Sequence, residues 1–430
     1  MKIAIWHNLP SGGAKRVLFD QVGGLLAAGH TVEAWCPDTA DSSFLPLTDL
    51  IPEHRMPLPR RRELNPKIFR TLAYYHNRVT RWSHQLDQHC RDCAKRINDS
   101  AFDLLFVCSS KKSHIPPIGK YVKLPTLFYF HESARYLYEA SPVLPWAAPH
   151  AKFYWRDMAI WIKHWIKLHY LGIQMREERE NIMAFDTICV NSLYSNENLK
   201  RAYGINGHVC YPGVDSAKFH VSNKTRENMV IGIGAFQPNK NIEFVIKAIA
   251  KTEKPQPSLV WVGNTSNERY FSELKSLSGH LEVKFVSKLR ISDEEIVMLL
   301  QRAKAMVYAP NLEPLGLAPL EAAACGLPVI TVAEAGTRET VVHNKTGLYA
   351  DRNIESFAKK ISMIINNEAL ARTLGENGRK MVESHWTWEK SIQNLENSML
   401  STIAEYSCKD PCLLYTSDAA DEEDSVDLGG

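Results

Sequence analysis

Two carboxylates, Glu313 and Glu321, stand eight positions apart in the string Glu313-Pro-Leu-Gly316-Leu-Ala-Pro319-Leu-Glu321-Ala-Ala-Ala-Cys-Gly326-Leu-Pro328-Val-Ile-Thr-Val. Pro319 suits a first helical turn, where its missing N–H is not needed, while Gly326 can supply a left-handed stop and Pro328 prevents continuation. The segment therefore reads loop, short helix, buried strand. The unpaired amides of such a helix start, with the close backbone approach that Gly316 permits, form a receptor for a phosphate. Hydroxyl-rich groups carried by that phosphate would meet the two glutamates, which is the arrangement expected for a sugar nucleotide. A single glutamate near a helix start more often only complements the positive end of the dipole, so the argument rests on the whole string.

At 430 residues the chain is too long for one ordinary core and reads as two or three units. A hydrophobic content of 45% with 23% charged residues describes a globular protein. No stretch approaches the length needed to cross a bilayer, and the apolar run Lys2 to Trp6 starts too early and is too short for a signal peptide, so a cytoplasmic location is expected. Nine scattered cysteines, mostly within apolar strands, suit small buried side chains in a reducing compartment. His89-Cys90-Arg-Asp-Cys93 holds half of a zinc spacing without a second pair, so no metal is expected there. The net charge of +3 hides an excess of base between residues 51 and 182, including Arg60, Arg61, Arg62, Lys67, Arg70, Arg78, Lys111 and Lys112. Such a surface suggests an anionic partner, either a phosphorylated acceptor or a membrane, and nucleic acid is not expected.

Apolar runs recur in two series. The first is Ile3 to Trp6, Thr31 to Cys36, Asp103 to Cys108, Thr126 to Phe130 and Thr187 to Val190; the second is Val230 to Gly234, Leu259 to Gly263, Leu281 to Val286, Ala305 to Ala309 and Val329 to Val332. Helical spacing between them, as in Ile242, Val245, Ile246 and Ile249, implies parallel sheets covered on both faces. The fold class expected is α/β, with two doubly wound Rossmann-like domains facing a central cleft. Ligands of such sheets sit beyond the carboxyl ends of the strands, which places the chemistry in that cleft. The boundaries read as 1–212 for an N-terminal Rossmann-like domain, 213–390 for a C-terminal Rossmann-like domain and 391–407 for a terminal helix. Residues 408–430 read as an acidic, aperiodic tail or read-through scar.

The paired-glutamate string resembles the signature of the retaining nucleotide-sugar glycosyltransferases of family four (group 1). The likeness extends in order over nearly all of residues 1 to 406. Pro10-Ser-Gly12-Gly13 looks like the family's glycine-rich first loop, and Phe128-Tyr-Phe-His131-Glu132 like its His-bearing strand end. Gly232-Ile-Gly234-Ala235-Phe-Gln-Pro-Asn-Lys240 sits where relatives carry a glycine, an arginine and a lysine that hold the donor diphosphate. Ala235 departs from that pattern at the arginine position, leaving Lys240, the amides after Glu313 or a cation such as Arg338 to compensate.

The resemblance implies the GT-B fold and transfer of a sugar, with retention, from a nucleoside-diphosphate sugar to an acceptor hydroxyl in bacterial glycan or glycolipid assembly. It makes Glu313, His131 and Lys240 the candidate catalytic residues. Glu321, Gly316, Leu317, Gly12, Gly13, Gly234 and Lys240 are the candidate donor-binding residues, with Glu321 on the ribose and Glu313 on the sugar ring. It also implies a front-face departure in which the leaving phosphate helps deprotonate the acceptor. No cofactor is expected, and without an Asp-x-Asp pair in the folded part no metal either. A nicotinamide enzyme fits poorly because the third glycine of that fingerprint is missing after Gly234. A non-catalytic sugar-nucleotide binder is the alternative. Finally, Phe153 to Tyr170 mixes tryptophans with lysines, which suits either a helix at a membrane interface, near a glycan or lipid-linked acceptor, or a packed helix with a basic edge.

Overall fold

The computed structural model describes residues 1–60, 62–65, 70–111, 113–139, 146–152, 154–223 and 225–409, the last without its side chain. Arg61, Lys67, Lys112, Phe153 and the tail from 410 onward lie outside the described residues. The first sheet is built from β1 (Lys2–Asn8), β2 (Thr31–Pro37), β3 (Glu53–Met56), β4 (Leu104–Ser110), β5 (Thr126–Phe130), β6 (Thr187–Val190) and β7 (His208–Val209). All its pairings are parallel, in the order β3-β2-β1-β4-β5-β6-β7. The second sheet comprises β8 (Met229–Ile233), β9 (Ser258–Gly263), β10 (Phe285–Leu289), β11 (Ala305–Tyr308), β12 (Val329–Val332) and β13 (Gly347–Ala350), again all parallel, in the order β10-β9-β8-β11-β12-β13.

Burial explains why these segments are strands. Leu104-Leu-Phe-Val-Cys-Ser-Ser110 is buried at every position, as a strand covered by helices on both faces must be. In both sheets the order reverses between the first strand and the one that starts the return, β1 beside β4 and β8 beside β11. Loops leaving β1 and β8 in one direction, and β4 and β11 in the other, open a crevice at that switch point. Residues 9–12, 234–241 and 309–316 are thereby delivered to crevice rims by topology alone.

Three strands are absent from the sequence reading. Edge strand β3 carries Glu53, His54 and Arg55 and has no apolar run, β7 is two residues long, and β13 is glycine-led. The run read as Leu281 to Val286 is shifted: Leu281 caps the helix Glu268–His280, and pairing begins only at Phe285. The terminal helix spans Trp388–Lys409, so it begins before 391 and takes in Cys408 and Lys409, which had read as tail. Its Ile392, Leu395 and Met399 enter the core beneath the Gly13–Ala27 helix, and Thr402 donates to Thr187 of β6 at 2.8 Å. Chain turns back to the first sheet at Gly213, where a Cβ would fall 2.5 Å from the Trp388 nitrogen, and the Val214 amide donates to the Trp386 carbonyl at 2.8 Å.

Candidate functional site

The loop after β11 is shaped by its neighbours before any side chain is considered. Gly316 has φ 93° and ψ 81° and precedes the helix Leu317–Ala324; a Cβ there would also sit 3.3 Å from the ring of Tyr308. Gly336 touches the same loop from the other side, where a Cβ would lie 2.1 Å from the Pro314 carbonyl oxygen, and its amide donates to the Glu313 carbonyl at 2.9 Å. Arg352 donates to the carbonyls of Ala309 (3.2 Å) and Pro310 (2.8 Å) and pairs with Glu334. At the far end of the Leu317 helix, carbonyls left without helical partners are taken by Arg226, on Cys325 and Gly326, and by Arg379, on Ala324. Neither arginine stands out in the sequence, because a half-buried guanidinium serving carbonyls has no local pattern.

This scaffold places Glu313 against Lys240. The Lys240 ammonium donates to Oε2 of Glu313 at 2.6 Å, and both side chains are largely enclosed. Lys240 closes the turn Pro238–Lys240 that follows β8, and its stem lies over Gly234, where a Cβ would come within 3.2 Å of its Cγ and Cδ. Burial pushes the Glu313 carboxyl up, but Lys240, Arg135 and the Tyr308 hydroxyl outweigh it and hold the pKa below the ordinary carboxylate value. The acid is therefore ionised and gripped by cations.

Glu321 is the fifth residue of its helix, which has no acid in its first turn, so it does not serve the helix dipole. Its side chain is 12% exposed, and burial raises its pKa against the offsetting charge of Arg16, whose Nε stands 4.0 Å from Oε1. Arg16 comes from the Gly13 helix of the first sheet. Gly13 itself meets the second half directly, since a Cβ there would be 3.7 Å from Cδ1 of Leu317. Two helix starts, at Gly12–Gly13 and at Gly316–Leu317, thus face one another. Arg16, Asp20, Leu317 and Glu321 line a cavity of about 20 Å³ between the halves, together with Lys218 and Trp388. Asn264 Nδ2 donates to Ser11 Oγ at 2.9 Å and ties the glycine loop to the end of β9.

His131 follows β5 and is 8% exposed. Burial alone pushes its pKa down to about 4, and its Nε2 has no hydrogen-bond partner among the described residues. The ring is neutral at pH 7 and has one nitrogen to offer a ligand. Its carbonyl accepts from Ser195 Oγ at 2.9 Å, and the neighbouring Ser192 Oγ donates to the Pro314 carbonyl at 2.6 Å. Glu339 receives the amides of Leu193 (2.8 Å) and Tyr194 (3.0 Å). The segment Asn191 to Ser195 is therefore the joint that seats His131 beside the loop of Glu313.

Arg338, one compensator considered for Ala235, is exposed, and its Nε donates to the Ala335 carbonyl at 3.2 Å. The cation that does act on Glu313 besides Lys240 is Arg135, four residues past His131. Its Nη1 donates to the Asn311 carbonyl across the cleft at 2.9 Å, and its Nε to Glu132 at 2.8 Å. Sequence reasoning passed over it because it belongs to the opposite half of the chain.

His89 and Cys93 touch at 3.4 Å within the buried core, with the Trp6 indole donating to His89 at 3.3 Å, a packing arrangement. Among the described residues, His7, Cys36 and Glu53 bring possible ligand atoms within 4.8 Å of one another. The buried ammonium of Lys15 acts on the same three groups, so the cluster already holds a cation of its own. The eight described cysteines are all free thiols.

Residues 214–381 match the family described as glycosyl transferases group 1. The chain is 26% identical over 269 residues to the alpha-1,3/1,6-mannosyltransferase ALG2 of Dictyostelium discoideum, covering 53% of this chain and 64% of that one. It is 30% identical over 212 residues to an uncharacterized glycosyltransferase of Methanocaldococcus jannaschii (48% and 57% covered). It is 28% identical over 205 residues to the Staphylococcus aureus capsular polysaccharide biosynthesis glycosyltransferase CapM (44% and 53% covered). The chain thus spans 53% to 64% of the length of these relatives. Among solved structures it is similar to Anabaena HepE in complex with UDP and glucose, with 18% identity, 93% of this chain and all of that one covered, and a TM-score of 0.69. It is also similar to sucrose-phosphate synthase from Thermosynechococcus elongatus, with 19% identity, 94% of this chain and all of that one covered, and a TM-score of 0.71. Two doubly wound parallel-sheet units facing a cleft are the GT-B architecture expected from the resemblance.

Proposed function

We propose that this chain, whose residues 214–381 match the group 1 glycosyl transferases and whose two parallel-sheet units have the GT-B architecture, transfers a hexosyl unit, with retention, from a nucleoside-diphosphate sugar to an acceptor hydroxyl. One observation carries this reading: Lys240 and Glu313, 2.6 Å apart, stand at the same switch point as the helix start at Gly316. The amides of Gly316 and Leu317 and the Lys240 ammonium receive the diphosphate, Glu321 accepts hydrogen bonds from the ribose, and Glu313 from the sugar ring. Gly12, Gly13 and Gly234 keep side chains out of the donor's way. Neutral His131 hydrogen-bonds a sugar hydroxyl through Nε2.

In the transfer, the bond from C1 to the phosphate oxygen breaks with both electrons going to the phosphate. The acceptor oxygen bonds C1 on the same face, and its proton passes to the departing phosphate oxygen. Preorganised positive charge at Lys240 and Arg135 stabilises that leaving group without the need for a metal. The CapM relative supports a setting in envelope glycan or glycolipid assembly. No described helix is long and apolar enough to cross a membrane, so a lipid-linked acceptor would be met at the surface, through the aromatic and basic helix Met158–Ile182.

Turnover assayed with UDP, GDP and ADP sugars tests the activity, the anomeric configuration of the first product by NMR tests retention, and unchanged rates in EDTA test metal independence. Because Ala235 stands where an arginine is usual, a non-catalytic binder is the second reading; donor binding without any transfer would select it.

A further inference from the structure

The helix Met158–Ile182 carries two different surfaces. Around its amino-terminal half lie large exposed apolar groups, Trp155 (82% exposed), Met158 (57%), Ile162 (51%) and Trp165 (68%). Arg156 and Lys163 are exposed among them, and the only acid between residues 150 and 170 is Asp157. Aromatic groups beside excess base fit the surface of an anionic lipid layer. Farther along, Leu168, Leu171, Gly172 and Met175 recur at the spacing of one helix face and form one wall of a groove of about 250 Å³, closed by Leu137 and Trp146. Every lining residue is apolar or glycine.

The opposite wall leads to the cleft. Leu137 belongs to the short helix Arg135–Tyr138, whose first residue reaches the Asn311 carbonyl and whose approach begins at His131. Leu137 and Leu171 form a small apolar cluster with Ala134, separate from the cores on either face of the first sheet. The groove therefore lies between the exposed apolar surface of this helix and the short helix whose first residue, Arg135, acts on Glu313 in the cleft.

We infer that this groove seats the hydrocarbon chain of a lipid-linked acceptor bearing an anionic head. The chain enters beside the exposed tryptophans, and the head lies toward Arg135 and His131. The inference rests on the glycosyltransferase reading for the word acceptor, but the groove's preference for a chain is measurable without turnover.

The probes are hexyl phosphate and dodecyl phosphate, each below its micelle concentration, titrated by tryptophan fluorescence. Each buried methylene is worth about fourfold in affinity, so dodecyl phosphate binds at least about tenfold more tightly than hexyl phosphate even if few methylenes are seated. A Cβ at Gly172 meets nothing within 4 Å, so the side chain of Gly172→Leu starts into open space at the groove and narrows it, and it removes the difference between the two probes. Leu168→Gln, at a partly buried lining position, gives the same loss should the first variant fold poorly. Trp155→Ser with Trp165→Ser weakens sedimentation with phosphatidylglycerol vesicles while leaving the chain-length preference intact, which separates the groove from general membrane affinity. Equal binding of the two probes to the natural chain, or a preference that survives both groove variants, overturns the inference. So does a dimer in sedimentation velocity that Gly172→Leu dissolves, since the groove would then belong to a second copy. Nucleotide-sugar binding by thermal shift, read on the same samples, reports separately on the glycosyltransferase reading.

Discussion

Arg16 grips Asp293 with both ends of its guanidinium, Nη1 to Oδ2 at 2.8 Å and Nη2 to Oδ1 at 2.6 Å, joining the Gly13 helix of one half to the helix Asp293–Arg302 of the other. Lys218 adds a third contact to Oδ2 at 3.0 Å. Burial works against the charge on Arg16, yet Asp293, Glu321 and Asp20 raise its pKa further above the ordinary value. The Arg16 hydrogen bond brings Asp293 down to about 2. Because the folded pKa lies below the unfolded one, the stabilisation is present above about pH 4 and is lost as pH falls toward 2; it amounts to at most about 2 kcal/mol. Asp293→Asn should loosen the closure of the two halves at neutral pH. Small-angle scattering of this variant should give a larger radius of gyration than the natural chain, and an unchanged radius would contradict a latch here.

Glu321 faces the same arginine, with Oε1 at 4.0 Å from its Nε, so the proposed ribose contact would lie beside the latch. Glu321→Ala should weaken donor binding by about ten- to a hundredfold, the cost of losing hydrogen bonds to a charged acceptor. Its pKa is raised by burial, so donor affinity should fall as pH drops through that raised value, where the acid takes up a proton and loses acceptor capacity. Isothermal titration with nucleoside diphosphates across pH 5 to 8 checks both statements; Glu321→Ala with full affinity would remove it from the donor site.

Much of this was legible in the chain before folding. The Glu313 string could be read because loop, helix and strand each announce themselves locally, through Gly316, Pro319, Gly326 and Pro328. Nine strands could be read in place because buried parallel strands are continuous apolar runs, whereas the half-buried edge strand Phe285–Leu289 reads four residues too early, from Leu281. Strand β3 could not, since its Glu53, His54 and Arg55 have no apolar run to show. Arg135 and Arg16 were illegible for a different reason. Their partners Asn311 and Asp293 lie 176 and 277 residues away, and an ion pair across a cleft leaves no periodicity on either side. The basic and aromatic stretch was read only as one of two alternatives, because exposure is decided by what packs against it and not by its own composition.

Lys240 should be the most sensitive cation. Removing one preorganised group that stabilises developing charge costs about a hundred- to a thousandfold in kcat, and Lys240→Met is expected in that range. Gly234→Ala tests the same point indirectly, since the new Cβ would lie 3.2 Å from the Lys240 stem at a backbone φ of 158° that favours glycine. It should lower kcat less than Lys240→Met does, with KM for donor moved in parallel. Steady-state kinetics with an active donor decide, and a fully active Gly234→Ala enzyme would show that the lysine has room to move.

On the proposed function, Arg135 would stand in, from the other half of the molecule, for the cation that Ala235 does not supply. It pulls the Glu313 pKa down together with Lys240, and its own charge is supported by Glu132 and, at 3.9 Å, by Glu139. Arg135→Ala should therefore do two separable things: lower kcat/KM by about a hundredfold, as expected for loss of one charge-stabilising group, and move the acid limb of the pH profile upward as Glu313 relaxes toward its burial-raised value. Arg135→Lys should restore the limb but not the whole rate, because an ammonium keeps the charge and loses the fork that spans Glu132 and Asn311. Arg338→Ala, at an exposed side chain bonded to the Ala335 carbonyl, should leave both readouts near those of the natural chain. Ala235→Arg in the Arg135→Ala background should recover rate if the two positions serve one leaving group. A pH profile that does not move in Arg135→Ala would assign this arginine to closure of the cleft alone.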